Sequence, residues 1–167
     1  MLSNYIYKSR RVGKNGVEFD MFKIKTLRDG VDKTSSYARG EQYTRYGRLL
    51  RRFKADELLQ FYNVLRGEMA IFGARPLEPR GIRVIPLDIR AKLLSQKPGI
   101  LDIASLYFYD EEKALSTSLD PHKDYWKKIV PQKFALQFFY IEHRCWILNL
   151  ALVYMVIKRM VKELFNR

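Results

Sequence analysis

The stretch Thr44–Gly67, TRYGRLLRRFKADELLQFYNVLRG, decides both how the chain folds and where its chemistry sits. Its first half predicts a short helix over Thr44–Phe53. Thr44 is the N-cap, because its hydroxyl can accept a hydrogen bond from an unsatisfied backbone N–H of the first turn. Arg45, Arg48 and Arg52 fall on one side of that helix, with Arg51 beside Arg48; Leu49, Leu50 and Phe53 fall on the other. The second half predicts a helix over Asp56–Arg66, stopped by Gly67 in the position that glycine favours after a helix. Leu58, Tyr62 and Leu65 make an apolar stripe on it, and Asp56, Gln60 and Asn63 a polar one.

On the N-terminal side, Tyr5–Lys8 and Val17–Thr26 read as two strands joined by Gly13-Lys14-Asn15-Gly16. Asn-Gly is a hairpin signal because both residues tolerate positive φ. Phe22 and Ile24 alternate with Lys23 and Lys25, so the two lysines share one face. A polar loop, Arg28–Glu41, follows and is expected to be mobile. On the C-terminal side, Gly73–Pro79 holds two prolines and must be extended or turning. Ile89–Gln96 is helical and ends before Pro98-Gly99, Asp110–Leu115 and Pro121–Tyr125 are short helix or turn, and one long helix runs from about Pro131 to Leu164. The expected architecture is α/β of the α+β type: a small N-terminal hairpin with several amphipathic helices in a single domain over 1–167.

The chain has 167 residues, and 31 lysines and arginines against 18 acids leave a net charge of +13. Such an excess calls for an anionic partner: nucleic acid, an acidic membrane surface or a phosphorylated substrate. Cys145 is the only cysteine, which rules out an internal disulfide and suits a reducing compartment. With only His122 and His143 beside it, a zinc site is not expected. No run reaches the roughly 18 apolar residues of a spanning helix. There is no helix-turn-helix, zinc-finger or RNA-stacking signature, so nucleic acid is not the expected partner.

Asp56-Glu57 is the central pair. Carboxylates opening a helix can simply stabilise its positive end. Here Arg45, Arg48, Arg51, Arg52 and Lys54 precede the pair, and Arg75 follows in Gly73-Ala74-Arg75-Pro76. Acids beside several cations and a helix start suit a magnesium-bound diphosphate, in which acids hold metal or attack phosphorus and guanidinium groups grip oxygens. A solvated basic helix face remains open for Arg48, Arg51 and Arg52, as does an exposed strand face for Lys23 and Lys25.

The motif order resembles the bacterial sugar transferases, the monotopic phosphoglycosyl transferases that prime exopolysaccharide, capsule, O-antigen or glycoprotein glycan synthesis. The matching stretches are Arg11–Gly16, Phe22–Leu27, Thr44–Arg51, Asp56-Glu57-Leu58 with Gln60, Asn63–Met69, Gly73–Pro76 and Lys97–Ile100. The resemblance implies an enzyme that moves a sugar-1-phosphate from a UDP-sugar onto polyprenyl (undecaprenyl) phosphate with Mg2+, releasing UMP. Asp56 matches the nucleophile that attacks the β-phosphorus, and Glu57 the neighbouring acid that helps place the metal. Arg51 and Arg75 match arginines near the phosphates, and Lys23 a lysine of the short basic strand motif; Arg48 lies with them. The implied place is the cytoplasmic face of the bacterial inner membrane. The resemblance names neither the sugar nor an oligomeric state.

Several positions depart from the family pattern. Leu59 stands where proline usually follows Asp-Glu-Leu, Lys54-Ala55 replaces the usual Ser/Thr-Leu, and Ala74 replaces the first proline of Gly-Pro-Arg-Pro. The run Leu101–Ser105 resembles one branch rather than the commoner Thr-Gly form, as do Asp110-Glu111-Glu112 and Tyr125 with Pro131 and Lys133. Members normally begin with a hydrophobic re-entrant membrane helix, whereas this sequence opens almost directly in the hairpin. Trp146, Ile147, Leu150, Val153, Tyr154 and Ile157, followed by Lys158, Arg159, Lys162 and Arg167, suit an anionic membrane interface or an ordinary core helix with a basic end. The competing reading is a catalytically inactive membrane-surface scaffold derived from the same family.

Overall fold

In the computed structural model, residues 5–28, 43–83, 85–109, 115 and 118–165 are described. Most of the loop at Arg28–Glu41, and most of Asp110–Leu115 with its acidic triplet, lie outside them. Strands β1 (Ile6–Val12) and β2 (Glu18–Ile24) pair antiparallel from Ile6 opposite Ile24 to Val12 opposite Glu18. The first strand is longer than the sequence suggested. The turn holds Asn15 at φ 58° and Gly16 at φ 79°, as the Asn-Gly pair requires.

Helix α1 (Arg45–Arg52) begins at Thr44, whose hydroxyl accepts from Gly47 N at 2.8 Å. Thr44 N also donates to Thr26 O at 3.0 Å, which pins the helix start to the end of β2. A side chain at Gly47 would put Cβ 2.2 Å from Thr26 O, so glycine permits this contact. The Asp56–Arg66 helix is shorter than expected: a 3-10 turn covers Ala55–Glu57, and α2 spans Gln60–Leu65.

Amphipathic helices normally bury their apolar stripe. Here the orientation is reversed. Leu58 and Leu65 are 57% and 86% exposed, whereas Asp56, Gln60 and Asn63 are buried. Asn63 supplies the reason: its Oδ1 accepts from Phe22 N at 3.2 Å, and its Nδ2 donates to Asp20 O at 2.8 Å and Glu68 Oε2 at 2.7 Å. The polar stripe fastens α2 to the backbone of β2. On α1 the sides are less distinct: Arg51 and Arg52 are half-buried and line the cavity, Leu50 and Phe53 are half-buried too, and Arg45, Arg48 and Leu49 are exposed.

Strand β3 (Ala70–Phe72) pairs parallel with β4 (Gly99–Leu101), a second small sheet that the sequence reading did not anticipate. Three-residue strands carry too little periodicity to announce themselves. Between them Gly73 and Gly99 approach so closely that a Cβ on Gly99 would lie 2.1 Å from Gly73 N. Helices α3 (Pro79–Arg83), α4 (Leu87–Leu94), α5 (Ile103–Tyr107) and α6 (Pro121–Asp124) follow. A π turn at Tyr125–Ile129 leads into α7 (Val130–His143), and α8 (Trp146–Phe165) ends the described chain.

The expected single C-terminal helix is therefore two. The break lies at Arg144, in extended backbone with ψ 116°. Asn149, the polar residue early in α8, accepts from Tyr140 OH at 2.7 Å across the bend, and Arg144 donates to Gln96. One apolar cluster joins Val12, Ile82, Ile85 and Leu93 to Phe134 and Phe138 of α7; another joins Phe19, Met21 and Met69. No helix among the described residues is long and apolar enough to cross a membrane.

Candidate active site

The first of these clusters borders, through Leu77, Ile85 and Phe134, a cavity of about 770 Å³, within the usual range for small-molecule sites. Lys23, Arg48, Arg51, Asp56, Glu57 and Arg75 all line it. The six residues singled out from the sequence, scattered over more than fifty positions, thus meet on one surface.

Local backbone chemistry explains how the acid pair gets there. Lys54 ends α1 in the left-handed conformation, φ 55°, which a non-glycine side chain adopts only against steric cost. This turn reverses the chain and swings Ala55–Glu57 toward β2. Lys54 itself sits with its ammonium 4.8 Å from the centre of the Tyr109 ring. Burial lowers its pKa from the ordinary lysine value.

Glu57 is gripped by two cations from different elements. Lys23 Nζ of β2 donates to Glu57 Oε1 at 3.1 Å. Arg75 donates through Nη2 to Oε1 at 2.6 Å and through Nη1 to Oε2 at 3.4 Å. Burial would raise the Glu57 pKa, but the fields of Arg75 and Lys23 prevail and hold it well below the usual carboxylate range. Arg75 is driven the other way, above the ordinary arginine value, first by Glu57. Burial, reinforced by Arg75, brings the Lys23 ammonium down to about 8 despite Glu57.

Asp56 is buried beside this clamp, and its Oδ1 has no hydrogen-bond partner among the described residues. Arg51 also lines the cavity, donating to Thr26 Oγ1 at 3.2 Å and Tyr43 OH at 2.6 Å, with its guanidinium 4.5 Å from the Tyr43 ring centre. Arg48 borders the cavity and remains exposed.

A divalent metal can be tested against this donor set. No cluster of three histidine, cysteine or acidic side chains that could hold a metal occurs among the described residues. Magnesium, however, is commonly held by one or two carboxylates together with substrate phosphates. Asp56, with a buried oxygen lacking a donor, fits that use; Glu57 fits by sharing an oxygen with its cations.

The sequence reading did not select Arg11, Asp102 or Gln137. Arg11 reaches the cavity from β1 and pairs with Glu78 at 3.0 Å. Asp102 caps α5, accepting from Ala104 N and Ser105 N, and sits buried on the cavity wall. As a cap it had a legible signal, an acid one residue before a short apolar helix. Gln137 had none.

The family model described as bacterial sugar transferase matches residues 2–163. The chain belongs to that family. It is similar to the uncharacterized sugar transferase EpsL of Bacillus subtilis, 28% identical over 95% of this chain and 71% of that protein. A putative undecaprenyl-phosphate N-acetylgalactosaminyl 1-phosphate transferase of the same organism is 38% identical over 44% of this chain and 43% of its own length. A UDP-glucose:undecaprenyl-phosphate glucose-1-phosphate transferase of Caulobacter vibrioides is 38% identical over 42% of this chain. The matched part makes up 28% of that protein. For the latter two relatives the likeness therefore spans less than half of each protein. Within this sugar transferase, the acid pair, its clamp and the basic wall stand as one unit.

Proposed function

We propose that this sugar transferase moves a sugar-1-phosphate from a UDP-sugar to polyprenyl phosphate through a covalent intermediate on Asp56. The observation that supports this reading best is the contrast within the acid pair. Glu57 is neutralised by Arg75 and Lys23, whereas Asp56 has an oxygen with no partner at a cation-lined cavity. A carboxylate so placed is suited to attack.

In the first step an Asp56 oxygen forms a bond to the β-phosphorus of the donor. The bond from that phosphorus to the bridging oxygen breaks, and UMP leaves with the electron pair. In the second step a phosphate oxygen of the polyprenyl acceptor attacks the same phosphorus and Asp56 departs as carboxylate, giving a polyprenyl diphosphate sugar. Mg2+ held by Asp56, Glu57 and the diphosphate would supply neutralising charge. Arg48, Arg51 and Arg75 orient the phosphoryl oxygens, and the Lys23–Glu57–Arg75 unit fixes the geometry of the adjacent aspartate.

The acceptor is a lipid, and the outward faces suit a membrane. Tyr46, Leu49, Leu58 and Leu65 are exposed, and Trp146, Leu150, Tyr154 and Ile157 form an exposed apolar strip along α8, followed by Lys158 and Lys162. Apolar side chains backed by cations favour an anionic cytoplasmic leaflet.

Intact-protein mass after incubation with Mg2+ and a panel of UDP-sugars tests the reaction. A sugar-phosphate adduct on the wild type and none on folded Asp56→Asn is the expected result. No adduct from any donor would sink the reading and favour an inactive membrane-surface scaffold.

A further inference from the structure

Besides its cations and the acid pair, the cavity lining holds the buried acceptors Asp102 and Gln137. Gln137, on α7, is only 4% exposed. Its Nε2 donates to Asp102 Oδ2 at 3.3 Å, and its Oε1 has no hydrogen-bond partner among the described residues. Chemistry fixes which way this amide points. The Asp102 carboxylate only accepts, so the amide nitrogen must face it and the carbonyl oxygen must face away.

Asp102 is held in turn by Ala104 N at 3.3 Å, Ser105 N at 3.1 Å and the Ser105 hydroxyl at 2.8 Å. Among the described residues no cation pairs directly with it. A buried acceptor without a donor is an unpaid desolvation, and native proteins seldom keep one without use. Phosphate oxygens, themselves acceptors, cannot relieve it. Arginine and lysine suit the phosphates; a carboxylate-backed amide suits a hydroxyl or an N–H.

We infer that Asp102 and Gln137 form a specificity-determining pair that reads an O–H or N–H donor on the uncharged part of the nucleotide sugar. The donor belongs either to the transferred sugar or to the nucleoside. Asp102 locks the amide in its accepting orientation, and Gln137 Oε1 receives the hydrogen bond. The inference rests on the donor class proposed above and identifies which wall of the cavity recognises it.

Titration calorimetry on the full chain, with UDP-sugars, UMP and inorganic pyrophosphate as probes, tests it. Gln137→Met keeps the length of the side chain and removes the acceptor; Asp102→Asn lets the amide turn over. Each variant is expected to weaken UDP-sugar binding by about ten- to a hundredfold, with pyrophosphate binding unchanged. Unchanged UMP binding places the donor on the sugar, and a parallel loss places it on the nucleoside. UDP-sugar binding within about twofold of wild type in folded Gln137→Met overturns the pair, as does an equal loss for pyrophosphate, which a merely structural role would give. Covalent adduct on the wild type alongside unchanged affinity in Gln137→Met would sink the pair and leave the reaction standing. Absence of both adduct and binding on the wild type would sink both.

Discussion

Arg75 holds Glu57 through two guanidinium nitrogens, 2.6 Å from Oε1 and 3.4 Å from Oε2, while Lys23 takes Oε1 from the other side. The chain joins β2, the acid turn and the Gly73–Pro76 segment at one carboxylate. Arg75→Lys keeps the charge and loses the fork. It is expected to cut turnover strongly and lower stability by about 1–3 kcal/mol, less than for a fully enclosed pair because the cavity admits water. Denaturant melts and initial rates with a UDP-sugar check both parts.

The same clamp sets a pH dependence. Glu57 has a folded pKa well below its ordinary 4.5, so the stability it contributes is complete above that value. As pH falls below 4.5 and approaches the folded value, this contribution is lost. In metal-free protein, the stability difference between wild type and Glu57→Gln should be flat from pH 7 to about 5.5 and shrink in acid. A difference that grows on acidification would contradict the clamp. Lys23 offers a second probe: its ammonium should titrate near 8, and lower still in Glu57→Gln, where the favourable negative charge is gone.

Asp56→Asn should separate chemistry from folding. Removing a buried carboxylate whose Oδ1 lacks a donor costs little, so the melting temperature should hold or rise while the adduct disappears. A variant destabilised by more than about 2 kcal/mol would instead give Asp56 a structural part.

The reversed stripe on α2 makes an unusual contrast. Asn63→Ala removes three hydrogen bonds and takes the partner from two partly buried backbone groups of β2, so it should cost about 2–4 kcal/mol. Leu65→Ser, at a position 86% exposed, should change stability by less than about 0.5 kcal/mol. It should also reduce binding to anionic vesicles in a sedimentation assay.

That contrast marks the limit of what the sequence discloses. Asn15-Gly16 and Gly67 act through their own backbone and Thr44 through a hydroxyl that reaches only three residues on, so the hairpin turn, the helix cap and the helix stop were legible. The acid pair and its cations were legible because motif order brought them together. The facing of α2 was not, because it depends on β2 offering Asp20 O and Phe22 N to an amide 41 to 43 residues away. The break at Arg144 lacked glycine or proline and follows from Tyr140 meeting Asn149. Gln137 enters the cavity only because α7 packs against α5, a tertiary event without local trace.

Arg52 donates through Nε to Glu163 Oε2 at 3.0 Å and through Nη2 to the Glu163 carbonyl, over a separation of 111 residues. Glu163 is also part of the cavity lining. The acid turn, its hairpin and its cations all precede α8 along the chain, yet the closing turn of that helix contributes to the enclosure around them. A chain cut back before Glu163 would keep the acid turn and its cations, yet lose both α8 acceptors of Arg52 and the carboxylate that completes this part of the wall.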